Sequence, residues 1–336
     1  MTVQSIGDQA RAFAMQSASN RIKTTLATLT AELTSGEVSD LGARLGGKTQ
    51  NLTGIEARLA MLAQFKSNAA EAAAHTAGMQ EALTAIHSMS EKLGQSLYIE
   101  PAGTTDASVR ARSTEAATTF QTVVGRLNAS VGQRFLFSGI ASDTPPLVSA
   151  DDMLAELSNV VGGLTTAVDM AQAVSDWFDA PAGTGGYADF AYRGMADGLA
   201  VPVGEDTTLL LETTALASSV RDTFKGLAAA ALVDRGALAG NLQEERALLR
   251  DAGKNLIEAS PALVAEMAQV GYAQQVIAST HTEGEAATAT LQTARNTLRE
   301  ADPLATATAL NDAETRLQTL YAVIGRLSQL KLVDYI

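Results

Sequence analysis

The stretch 302–336 constrains this chain more than any other. Asp302 suits a helix N-cap, and Pro303 suits the first helical position, whose N–H would be orphaned anyway. Leu310, Ala313, Leu317, Leu320, Ile324 and Leu327 then recur at alternating steps of three and four. That is a heptad seam, and only a partner helix buries it. The sequence runs on through Leu330, Leu332, Val333, Asp334, Tyr335 and Ile336. So much apolar surface at the end of a soluble chain calls for a partner.

The opposite end supplies one. Over residues 8–35, Ala12, Met15, Ser19, Ile22, Leu26, Leu29 and Leu33 step by three and four as well. As a helix this stretch spans about 40 Å. Gly36 ends it, and Gly36, Gly42, Gly46 and Gly47 make 36–50 a joint rather than an element. A lone pair of helices about 30 residues long is marginal in water. Both ends are therefore expected to gain order from neighbouring subunits.

Residues 51–98 read as one long helix. Its stripe runs from Leu52, Ile55, Leu59, Leu62 and Phe65 through Ala69, Ala72 and Thr76 to Met79, Leu83, Ile86, Leu93 and Leu97. Pro101 and Gly103 break it. Asp106 is expected to cap a second helix with Val109, Ala116, Phe120, Val123, Leu127 and Val131 inward. A short loop between long helices implies an antiparallel hairpin. Ala69 to Ala74 would allow close helix approach.

Composition shifts after Phe135. Residues 141–240 hold four of the seven prolines (Pro145, Pro146, Pro181, Pro202) and the only tryptophan, Trp177. Ser149, with Asp152 three residues on, predicts a capped helix near 150–162. A second short helix reaches Trp177 and Phe178. Leu199 to Val203 and Thr207 to Thr213 predict two short strands turning at Gly204, and a helix near 215–232 follows. From about 241 the helical pattern returns, with Ser260 and Pro261 as a further N-cap and first-turn pair. Leu263, Met267, Val270, Ile277, Leu291 and Leu298 extend it to about 300.

The fold expected is mainly α: a long antiparallel helical bundle or coiled coil from both chain ends, with a small inserted α+β domain. The expected division joins 1–40 to 300–336 as a terminal coiled-coil region. It joins 41–140 to 241–299 as a long-helix bundle, and sets 141–240 apart as an outward insertion with its own core.

Catalytic chemistry finds little support. The chain has no cysteine and three histidines (His75, His87, His281), which removes thiolate nucleophiles and Cys-based metal sites. Gly183, Gly185 and Gly186 lack the lysine of a phosphate loop and read as surface loop. Trp177 and Phe178 read as core. Glu244 with Glu245, and Asp151 with Asp152, read as solvated helix faces. Asn51-Leu52-Thr53 and Asn128-Ala129-Ser130 match a glycosylation sequon, a short pattern common by chance, and both fall in expected helices. No catalytic, cofactor or metal residue is assigned, and no cofactor is expected. A net charge of −13 argues against nucleic acid and anionic membranes as partners. The N-terminal residues show no basic and apolar signal pattern, and no apolar run reaches the length of a membrane span.

Three stretches together resemble the flagellin superfamily. Leu33, Thr34, Ser35 and Gly36 are similar to its Leu-Ser-Ser-Gly joint. Arg326, Leu327, Ser328, Leu330, Leu332, Asp334, Tyr335 and Ile336 resemble its Arg-Leu-Ser-x-Leu-x-Leu-x-Asp-Tyr-Leu ending. Arg134, Phe135, Leu136, Phe137, Ser138, Gly139, Asp143, Thr144, Pro145 and Pro146 resemble a segment more typical of hook–filament junction proteins of that superfamily (hook-associated protein 3) than of flagellin. The likeness covers about 1–147 and 241–336 and departs at 37–50, where Val38 to Gly47 replace the usual Asn and paired Asp.

The resemblance implies a structural, non-enzymatic part of the bacterial flagellum, extracellular and exported by the type III route without signal cleavage. It implies a homo-oligomeric ring between hook and filament. The partners implied are the first hook–filament junction protein, flagellin and an export chaperone. Assembly would rest on Ile22, Leu26, Leu29, Leu33, Leu317, Leu320, Ile324, Leu327, Leu330 and Leu332. Two other readings are a flagellin proper, which would polymerise alone into filaments, and a cytoplasmic coiled-coil scaffold, which would stay in the cell as a parallel dimer.

Overall fold

The computed structural model describes residues 6–99 and 105–333, with side chains from 9 onward and as far as 327. Pro101, Gly103, Asp334, Tyr335 and Ile336 lie outside the described residues. Long helices dominate, and the strands form two small hairpins. This is the mainly α architecture with a small sheet insert that the periodicity implies. The chain divides into two compact units, one taking the sequence up to Met61 and from Ala286 onward, the other Leu62–Glu285.

The first unit contains α1 (Ile6–Ser35), the short α2 (Leu41–Arg44), the start of α3 (Gln50–Tyr98), the end of α9 (Leu242–Arg299) and α10 (Pro303–Val333). Gly36 sits at φ +73°, the left-handed conformation a helix stop needs, and its N–H donates to Glu32 O at 2.8 Å. Asp302 caps α10 as its sequence position implies: its Oδ1 accepts from the N–H groups of Leu304 (2.9 Å) and Ala305 (3.1 Å).

The second unit holds the rest of α3 and α9 with α4 (Asp106–Leu127), β1 (Ser130–Val131), β2 (Arg134–Phe135), α5 (Ala150–Val160), α6 (Ala167–Asp179), α7 (Tyr187–Phe190), β3 (Leu199–Pro202), β4 (Thr208–Leu211) and α8 (Ser218–Asp234). Within it, α3 and α4 run antiparallel: Arg112 donates to Ser96 O near one end, and Arg126 meets Glu81 at 4.0 Å near the other. Thr105, not Asp106, caps α4, in a reciprocal box with Ser108. Asp106 falls in the first turn, where its charge suits the helix dipole. Ser149 caps α5, with Asp152 N–H at 3.1 Å.

Two expectations are corrected. Ser260 and Pro261 do not start a helix; Pro261 lies inside α9. A proline there removes one backbone bond and costs about 3 kcal/mol in an isolated helix. Burial of Leu256, Ala259 and Leu263 on either side holds the turn, and Ser260 Oγ bonds His87 Nε2 at 2.9 Å instead of capping.

Residues 141–240 do not keep a core to themselves either. Phe224 of α8 packs on Phe120 of α4 at 5.3 Å between ring centroids, and on Phe178 and Tyr187 at 5.9 and 6.0 Å. One continuous apolar cluster joins Leu83, Leu97, Phe120, Leu154, Trp177 and Leu249. The Ala-rich α8 lies too deep against the α3–α4 hairpin for two cores to separate. Trp177 and Phe178 sit in that shared core. At the crossing of α3 and α9, a Cβ on Gly253 would lie 2.6 Å from Tyr98 N and 2.8 Å from Gly94 O, so only glycine fits.

Candidate assembly interface

The heptad residues of the two chain ends meet. In α1 the stripe Met15, Ile22, Leu26 and Leu29 is half-buried and Ser19 is buried. In α10, Leu310, Leu317, Leu320 and Ile324 are half-buried, while Ala313 is buried. The helices run antiparallel, with Lys23 Nζ 5.9 Å from the ring centroid of Tyr321. Lys23 and then Ser19 hydrogen-bond the Tyr321 phenol and lower its pKa. Each end therefore packs against the other within the same chain.

Two helices cannot enclose a seam on their own. Leu33 remains 42% exposed and Leu327 38%. Leu330 and Leu332 lie on α10, beyond the described side chains. More apolar surface lies off the seam: Phe13 is 77% exposed and Leu304 78%, with Tyr321 and Val323 also outward. Heptad counting passes over these four because they fall out of phase with the stripe. Their apolar type at unburied positions was the available signal.

The joint is built from polar contacts that the sequence pattern does not announce. Val38 N–H donates to Arg299 O at 2.8 Å, and Ala301 N–H to Gly36 O at 2.9 Å. Arg299 holds Glu37 at 2.7 Å and Glu56 at 3.5 Å. Ser39 N–H reaches Glu32 Oε1 at 2.8 Å. The end of α1 is thereby fixed to the start of α10 over a few residues, which sets the register of the pair.

The other candidates resolve into structural roles. Gly183 and Gly185 N–H groups donate to the Asp189 carboxylate at 2.8 Å, so the chain fills this anion cradle itself, and those N–H bonds, Gly183's first, lower the Asp189 pKa. Glu244 is no idle surface charge: its Oε2 accepts the Ala167 N–H at 2.7 Å at the start of α6, and Glu245 is buried. Asn128 follows α4 as its C-cap and bonds both backbone groups of Leu147. Among the described residues, no cluster of His, Asp or Glu has the makings of a metal site, and no helix is long and apolar enough to cross a membrane.

No protein-family model matches the chain, and no curated protein does. Among solved structures, one similar chain is a Vibrio parahaemolyticus protein described provisionally as a flagellar hook-associated protein. It is 17% identical, with 78% of this chain and 92% of that one covered, at a TM-score of 0.38. A superposition that loose transfers no role from one chain to the other.

Proposed function

We propose that this chain is a non-enzymatic structural subunit of the bacterial flagellum, placed at the hook–filament junction and assembled into a ring through α1 and α10. The observation that carries the reading is the antiparallel pairing of the two chain ends with its seam only half enclosed. A pair about 30 residues long is marginal by itself, and neighbouring pairs would bury what it leaves open. The likeness of 326–336 to the flagellin superfamily, and of 134–146 to its junction proteins, supports the station. The uncleaved N-terminus and type III export belong to the same proposal, as do flagellin, the first junction protein and an export chaperone as partners.

Immunogold labelling of isolated flagella tests it. Label confined to the hook–filament boundary is the expected result. Label along the filament would make the chain a flagellin. Label retained in the cytoplasm would favour the scaffold reading.

A further inference from the structure

A second feature, independent of the flagellar reading, lies on the face of α3 that carries Asn68, Glu71, His75 and Gly78. These residues stand three or four apart, so they share one side of the helix. Both small β hairpins come down on that side. Asn68 Nδ2 donates to Pro202 O of β3 at 2.9 Å. Glu71 holds Arg134 of β2 through Nη1. At Gly78 a Cβ would stand 3.0 Å from Leu136 Cδ1 and 3.1 Å from Val131 Cγ2, so this hairpin packs directly on the helix backbone. His75 sits between the two anchors, half-buried, and its ring bonds the Leu136 backbone. A cavity of about 170 Å³ adjoins it, lined by Arg134, Glu71, Asn68 and the apolar residues Leu199, Val201 and Leu211 of β3 and β4.

We propose that His75 is an acid-sensitive latch: while neutral it holds the β1–β2 hairpin against α3, and protonation beside Arg134 loosens that hairpin. The charged groups facing the ring are Arg134 from β2 and Glu71 from α3 itself, while β3 and β4 present no charge in the cavity lining. Arg134 is already committed to Glu71, so a proton on His75 adds a second cation where one carboxylate stands. Burial lowers the His75 pKa most; the Leu136 backbone bond opposes this, Arg134 lowers it further and Glu71 raises it. The sign follows from linkage. A histidine with its folded pKa below its unfolded value binds fewer protons folded. Its stability contribution is complete above the unfolded value near 6.5 and declines as pH falls toward the folded value. The pair Arg134 Nε to Ser142 Oγ, at 3.2 Å, and the bonds from Phe135 N–H to Ser142 O and Leu136 N–H to Ala129 O would loosen with it.

Hydrogen exchange on the full-length chain at pH 7.5 and 5.5, corrected for intrinsic rates, reads this directly. The lower value stays above the ordinary carboxylate range. The amides of Phe135 and Leu136 are expected to open more often at pH 5.5 than at pH 7.5, with about tenfold as the ceiling, because an open-state imidazole of pKa near 6.5 is mostly protonated at the lower pH. Those of Ala229 and Ala230 in α8 should not change. His75→Gln, which keeps a side-chain donor and does not titrate, should abolish the difference. A His75→Gln chain as acid-sensitive as wild type would overturn the proposal. NMR titration of the wild-type imidazole gives a reading that needs no variant: a midpoint below 6.5 is expected, and one at or above it overturns the latch.

Discussion

The terminal pair and the Leu62–Glu285 unit use apolar residues in opposite ways. In the larger unit Phe120, Phe178, Phe224 and Tyr187 are wholly buried, and they touch one another. In the terminal pair, Phe13 and Leu304 stand out in solvent and the leucine seam is half-covered. The larger unit encloses its central aromatics among its own elements, although Val168 and Tyr272 stay exposed there, whereas the terminal pair leaves even its central stripe half-covered. Heptad spacing alone does not tell these cases apart, since both regions carry stripes at steps of three and four. What separates them is how many elements converge: α4, α6 and α7 meet α8 around Phe224, against two helices around Leu320.

The contrast can be broken most forcefully from the packed side. Phe224→Ala should cost about 3–5 kcal/mol, the usual range for an enclosed aromatic. Its effect should appear in thermal melting and in exchange of the α4 and α8 amides, with α1 and α10 untouched. Loss of protection at both places would mean that the two regions fold as one.

Leu320→Asp probes the other side. Leu320 is half-buried against α1, so the change should weaken the terminal pair by about 1–3 kcal/mol, the cost of a partly desolvated polar group. Melting of the larger unit should match wild type, while incorporation into flagella should fail. Normal incorporation would contradict the assembly role.

Arg299→Ala should be milder. Its two ion pairs are partly exposed, and such pairs are worth about 1 kcal/mol or less. Faster exchange at Val38 and Ala301 is the expected signature, with no change in the larger unit. The smallest effect on the free chain belongs to Phe13→Ser and Leu304→Ser, each within about 0.5 kcal/mol at exposed positions. Their value lies in the second reading: motility should drop if these side chains become buried between subunits.

Much of this was legible in the residues. Gly36, Asp302 with Pro303, Ser149 with Asp152 and the β3–β4 turn each act through contacts a few positions away, and local chemistry announces them. The misses involve distance in sequence. Pro261 reads as a helix start unless one knows that Leu256 and Leu263 are pinned to a core. Glu244 reads as surface until Ala167, far upstream, appears beside it. The β1–β2 hairpin turns on Gly132 and Gln133, both at positive φ, and glutamine is a weak turn signal. His75 looks like one more polar helix residue until Arg134 and Leu136 close over it. Around the terminal pair, the stripe was readable, but the exposed Phe13 and Tyr321 and the Glu37–Arg299–Glu56 joint were not.

The most direct test uses the absence of cysteine in the native sequence. A single Leu327→Cys substitution places one thiol on the exposed end of the α10 stripe, and no second thiol is present in the same chain. Treatment of flagella in place with a short bis-maleimide should give covalent dimers and higher multimers, while dilute free chain should stay monomeric. Flagella that carry the variant yet yield only monomer would contradict assembly through the terminal pair.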